Sequence, residues 1–251
     1  MSFEKIDFVI EGRVARIAMR YSSANILDFA LMQELSLAVD QADSCAFLVL
    51  SSSVKNFSLG VDIKIHTPPL IPEMLQKFHS LIRKLYHFPG ITVCFVQGYA
   101  LGGGLELALV NDFFFAEKNA VLGLPEIKLA CFPPVAAVLL PAIAGRVATR
   151  LMFTGDTITG EEAQRHGIVD GVFEQAGASE FQSEFLKRTT SYSYDALTVL
   201  KRVLRKTSDL DFDRALQEAE KFYNEDLLLS PDVAEGIEAF LQKRSPKYKD
   251  H

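Results

Sequence analysis

Three consecutive glycines, Gly102, Gly103 and Gly104, separate an apolar run, ITVCFVQG, from a helical stretch, LELALV. Each glycine loses more freedom on ordering than an alanine would, so a triplet suits a place where backbone must approach a ligand closely. At a helix start the first N–H groups have no partner within the helix and can hold an anion or a developing oxyanion. A tight turn or close backbone packing would use the same residues. The spacing is not that of a dinucleotide fingerprint. Glu106 follows Gly103 by three positions among leucines and alanines, and Glu126 sits in a comparable setting, GLPEIKLACF. Desolvation raises a carboxyl pKa, and two such groups brought close could divide general acid and general base work. A capping or exposed glutamate is the commoner fate of each taken alone. A further loop, FSLGVDIK, carries Gly60, Val61 and Asp62. Asp62 is a candidate for catalysis or for substrate and coenzyme A contact, although acids after turns more commonly fix the loop through backbone N–H groups.

These residues need elements to hold them. FVI, a turn at Glu11-Gly12 and VARIAM read as a hairpin. Asp28 is placed to cap a helix whose apolar stripe is Leu31, Leu35, Ala38, Val39 and Ala42. AFLVLSS (46–52) reads as a parallel strand covered on both faces. FSLGVDIK therefore follows a strand end, where open α/β architectures bind ligands. After Pro68, Pro69 and Pro72 a second helix presents Leu75, Phe78, Ile82 and Leu85. Strands at 91–98 and 112–116 continue the alternation, which predicts an α/β fold with parallel strands. Beyond about 190 only helices are expected, at Asp195–Lys206, Asp211–Leu229 and Asp232–Lys243, giving an α/β core over 1–190 and a helical region over 191–251.

The chain has 251 residues, 49% of them hydrophobic, with 32 acids against 26 bases and a net charge of −6. This excludes a disordered chain and a general nucleic-acid binder, which would need a basic field. An anionic ligand must then be held by a local site. Cys45, Cys94 and Cys131 lack metal-ligand spacing, and neither a disulfide nor a zinc site is expected. The first residues do not read as a secretory signal, and no run approaches the roughly 18 apolar residues of a membrane span. The cytoplasm is the expected compartment, with no membrane partner.

Taken together, FSLGVDI, GYALGGGLELA and LPEIKL resemble the three signatures of the crotonase (enoyl-coenzyme A hydratase/isomerase) superfamily, and TGDTITGEEAQRHGIVDGV and EGIEAFLQKRSPKYKDH extend the likeness over nearly the whole chain. The resemblance implies a spiral of ββα units with a C-terminal helical region that drives trimerisation, as a trimer or a dimer of trimers. It also implies an acyl-coenzyme A thioester as partner, whose carbonyl oxygen would lie between the N–H groups of Val61 and Gly103. Glu106 and Glu126 fall on the two glutamates with which family hydratases activate water and handle the proton. No cofactor is implied beyond the coenzyme A of the substrate, and no metal.

Where common hydratases carry a glycine-rich run after the P-E segment, this chain reads LACFPPVAAVLLP. SSANILD, IHTPPLIP and that stretch resemble a narrower subgroup that hydrates cyclohexa-1,5-diene-1-carbonyl-coenzyme A in anaerobic benzoyl-coenzyme A degradation. Phe132, Pro133, Pro134 and Val135 are then candidate walls for a flat ring, with ordinary core packing as the alternative. The rival activity within the family is aliphatic enoyl-coenzyme A hydration; a non-catalytic acyl-coenzyme A binder is the rival outside catalysis. Lys243 matches a family lysine near the coenzyme A phosphates, though a cation at a helix end is also favoured by the dipole. His66 and His79 could reach the acyl pocket or serve as ordinary surface or core residues.

Overall fold

The computed structural model describes residues 3–249, which fall into two compact units dividing between Phe181 and Gln182. The first is built on a six-stranded sheet in the order β1-β2-β3-β4-β6-β9. β1 (Ile6–Glu11) and β2 (Val14–Met19) form the expected antiparallel hairpin, turned through Gly12 at φ +60°. β3 (Phe47–Ser52), β4 (Ile91–Val96), β6 (Phe113–Glu117) and β9 (Gly171–Phe173) then add in parallel. β4 is buried at every position, as a strand covered on both faces should be. On one face Phe95 stacks on Phe115, and the edge of Phe181 meets both rings.

α1 (Phe29–Gln41) starts where the Asp28 carboxylate accepts the Leu31 N–H at 2.7 Å. α2 (Ile71–Tyr86) begins one residue before Pro72, which stands in its first turn where a missing N–H does no harm. Met74, Phe78, Leu81, Ile82 and Leu85 form its buried stripe; Leu75, expected there, is only half-buried.

A second sheet escaped the sequence reading. β5 (Tyr99–Leu101), β7 (Val121–Gly123) and β8 (Thr157–Thr159) pair in the order β5-β7-β8. Three residues carry too little periodicity to announce a strand. β5 precedes α3 (Gly103–Leu109), so the glycine triplet follows a strand directly. α4 (Pro134–Ala144), α5 (Arg146–Thr154) and α6 (Gly160–Arg165) complete this unit. The division falls inside α7 (Ala178–Thr189), somewhat before residue 190. The second unit contains α8 (Tyr194–Thr207), α9 (Phe212–Glu225) and α10 (Pro231–Leu241). α9 stops at Glu225 and a 3-10 turn at Leu227–Leu229 replaces the rest of the expected helix. No described helix is long and apolar enough to cross a membrane.

Candidate active site

The loop after β3 is fastened at both ends of its glycine. Ser58 donates its N–H to Tyr99 O and accepts that of Leu101, a one-residue bridge to β5. On the other side, Leu27 donates to Gly60 O and accepts from Asp62. A Cβ on Gly104 would lie 2.7 Å from Ser58 O, so this glycine is what lets α3 approach the loop. The N–H groups of Ser58, Gly60, Asp62, Leu101 and Gly102 all have protein acceptors. Those of Val61 and Gly103 have none among the described residues, and both residues line the same cavity. Two unspent donors at the edge of a cavity can hold an oxygen that gains negative charge.

Glu106 lies on α3 and is 3% exposed. Its Oε1 accepts the N–H of Val135 at 2.7 Å and of Ala136 at 3.0 Å, the unspent donors of the first turn of α4. Burial pushes its carboxyl up to about 7, opposed by these two bonds and reinforced by the charge of Glu126. Glu126 stands on a 3-10 turn, Pro125–Leu129, and is half-buried rather than enclosed. Burial raises its pKa also, and its Oε2 is buried with no hydrogen-bond partner. Gly102, at φ +53°, leaves it room: a Cβ there would lie 2.6 Å from Glu126 Oε1. Near neutral pH such a pair can hold one carboxyl ionised and the other protonated, which suits acid–base work.

Both glutamates open onto a cavity of about 140 Å³ walled by Leu59, Met74, Leu75, Phe78, Leu129 and Pro134. Of the residues expected at the site, Gly60, Val61, Gly103, Glu106, Glu126, Phe132 and Pro134 meet here. Phe132 is 69% exposed, so it stands at the edge of the wall. Asp62, a candidate for substrate contact, does not line the cavity; its carboxylate accepts the Lys64 N–H at 3.0 Å and caps the following turn, the commoner fate of an acid at such a position. Lys243 belongs to the second unit and is exposed, with φ +53°. His66 and His79 both line the cavity, and burial lowers the pKa of each. Val135, a candidate wall for the ring, does not line this cavity and contributes instead through its backbone N–H at the start of a helix opened by a Pro-Pro pair. Among the described residues no cluster of three or more His, Cys, Asp or Glu is spaced to hold a metal ion.

The family description "Enoyl-CoA hydratase/isomerase" matches residues 10–251. The chain belongs to that family. Among curated relatives, cyclohexa-1,5-dienecarbonyl-CoA hydratase of Thauera aromatica is 32% identical over 96% of this chain and 94% of its own length. The 2,3-dehydroadipyl-CoA hydratase of Escherichia coli is 30% identical over 93% of this chain and 92% of that protein. The solved structure of an enoyl-CoA hydratase from Bacillus anthracis superposes with a TM-score of 0.93 at 27% identity, covering 99% of this chain and all of that one. The fold is therefore the crotonase spiral expected from the signatures, and the chain is an enzyme of the hydratase family, a hydro-lyase.

Proposed function

We propose that this enzyme adds water to cyclohexa-1,5-diene-1-carbonyl-coenzyme A, giving 6-hydroxycyclohex-1-ene-1-carbonyl-coenzyme A. The observation that carries the reading is the pairing of two carboxyls of raised pKa with an apolar cavity of about 140 Å³. A cavity of about 150 Å³ accommodates benzene, so this space suits one six-membered ring. The resemblance of SSANILD and the stretch after Glu126 to the cyclic-diene subgroup, and the Thauera aromatica relative, point the same way.

In this reading the thioester oxygen accepts the N–H groups of Val61 and Gly103. One glutamate, ionised, takes a proton from water as the water oxygen bonds to the ring carbon β to the thioester. The electron pair of that double bond moves onto the thioester oxygen through a dienolate, which the two donors stabilise. Losing one such donor typically costs on the order of 3 kcal/mol of transition-state stabilisation. The other glutamate, protonated, supplies a proton to the far end of the diene, and the remaining double bond settles beside the thioester. One water is consumed and the two carboxyls end with their proton exchanged. Coenzyme A enters as part of the substrate, and the chemistry calls for no further cofactor or metal. Gly60, Phe132, Pro134 and Lys243 are assigned to substrate and coenzyme A contacts, and Asp62 to holding the loop.

The helical region from about 190 is assigned to homo-oligomerisation, as a trimer or a dimer of trimers. Leu204, Phe212, Leu229 and Phe240 there are each more than 60% exposed, an apolar surface that a monomer would leave wet. The cytoplasm is the compartment proposed. The test is substrate profiling of the purified protein. Turnover of the cyclic diene thioester faster than crotonyl-coenzyme A is expected; the reverse order would make it an aliphatic enoyl-coenzyme A hydratase. Binding of both without turnover would make it a non-catalytic acyl-coenzyme A binder.

A further inference from the structure

A second cavity, of about 460 Å³, adjoins the catalytic one. Its walls are mainly apolar, with Ile82 of α2, Val110, and Val135, Val138 and Leu139 of α4, and they also carry Arg83 and Tyr86 of α2. The two cavities share two lining residues, His79 and Pro134. Each of the two therefore borders both cavities. The register of the helices agrees. Leu75, Phe78 and His79 on α2 face the catalytic cavity, and His79, Ile82 and Tyr86, spaced by three or four, carry the same face along the second. Pro134 opens α4 at the catalytic end, and Val138, one turn on, belongs to the second cavity alone.

His79 is an unexpected choice for such a position. Its Nε2 is buried with no hydrogen-bond partner, and its ring meets Phe78 at a centroid separation of 6.0 Å, tilted by 46°. An orphaned buried nitrogen is destabilising, so the residue is not there to strengthen packing. No hydrogen bond ties the ring down among the described residues. Desolvation, aided by the charge of Arg83, keeps it neutral, so it can close an apolar chamber without bringing a charge into it.

We propose that His79 sets the size of the acyl group this enzyme accepts: with Pro134 it forms the end wall of a ring-sized chamber and shuts off the larger apolar cavity beyond. This deepens the reading of the site as an acyl-coenzyme A site and names the residue that limits it. His79 acts here by its bulk, as a specificity-determining residue.

The test measures calorimetric Kd values for butyryl- and decanoyl-coenzyme A, which are saturated and do not react. Failure of the hydration chemistry, or of the cyclic substrate, therefore leaves the measurement intact. His79→Ala is expected to raise the preference for decanoyl over butyryl by about tenfold or more, the order expected when a hydrophobic pocket gains room for added methylenes. His79→Leu keeps the bulk and removes the hydrogen-bonding nitrogen; its preference stays at the wild-type value. Val138→Trp fills the second cavity from a side chain that is 76% exposed, and leaves the wild-type preference unchanged because the cavity is closed off. Combined with His79→Ala it abolishes the gain. An unchanged preference in His79→Ala would overturn the proposal, as would an equal gain in His79→Leu. Should His79→Ala not fold, Val138→Trp decides alone: weakened decanoyl binding would mean that the acyl chain already enters the second cavity.

Discussion

Replacing Gly102 by alanine tests whether the position of the Glu126 carboxyl matters to catalysis. Two effects separate cleanly. The backbone at Gly102 has φ +53° and ψ −127°, a conformation that side-chain-bearing residues rarely adopt, and holding alanine there costs about 1–3 kcal/mol. In a domain of this size that lowers Tm by about 2–12 °C. The new Cβ would also lie 2.6 Å from Glu126 Oε1, where ordinary contact begins near 3.4 Å. The carboxyl must retreat by about 0.8 Å, and a displacement near 1 Å can cost about a hundredfold in rate. Because the obstacle is the end of a flexible side chain, the fold survives. Gly145 supplies the control: its φ +50° and ψ −119° nearly match, yet nothing lies within 4 Å of its Cβ position. Gly145→Ala should therefore lose similar stability and keep its turnover. The assay is hydration rate with saturating thioester alongside a thermal melt of each variant. Equal kcat values for the two alanine variants would refute the placement of Glu126 at the reacting atoms.

Two further outcomes follow from the carboxyls and thiols. Glu106 is neutral in both states below pH 4.5; above it the unfolded chain ionises while the folded one resists until about 7, so stability falls across that window. The loss from this residue is about 3 kcal/mol, from a shift near 2.5 pH units at 1.36 kcal/mol each. Denaturant melts of Glu106→Gln should show a flatter profile between those pH values and kcat lowered by about 10²- to 10⁴-fold; an unchanged slope would contradict a buried, raised carboxyl. Cys131, half-exposed on the catalytic cavity, should be the thiol that reacts with a disulfide reagent in the native protein, because Cys45 and Cys94 are buried with raised pKa values. Saturating acyl-coenzyme A should protect it, and labelling at an undiminished rate would argue against a ligand in that cavity.

What the sequence discloses depends on how far each signal reaches along the chain. Asp28, the α1 stripe and the buried run of β3 are local patterns, and the structure repeats them. The LPE motif pointed to Glu126, which lines the same cavity as Glu106. Its burial was overestimated, because apolar neighbours in sequence need not be neighbours in space: Ile127 and Leu129 are exposed. The sheet of β5, β7 and β8 was invisible, since each strand is only three residues and pairs across long intervals. The Val135 and Ala136 N–H groups on Glu106 belong to backbone some thirty residues away, which no side-chain pattern reports. Asp62 shows a local signal that reaches far enough: an acid after a turn more often bonds backbone N–H groups than reacts, and it caps the turn at Lys64.

Asn25 gives the loop that carries Val61 its own history. Fully buried at φ +43°, its Nδ2 lies within hydrogen-bonding distance of Met19 O, Ser52 Oγ, Asn56 O and Phe57 O, and its own carbonyl accepts the Ser58 hydroxyl. All of these partners lie between Met19 and Ser58. A chain emerging from the ribosome has therefore made every residue of this knot before β4 exists. The Val61 donor follows this knot by three residues, whereas the Gly103 donor comes more than forty residues later, after β4. The pair that faces the cavity is completed only when the glycine segment meets a loop whose Asn25 partners all precede it in the chain.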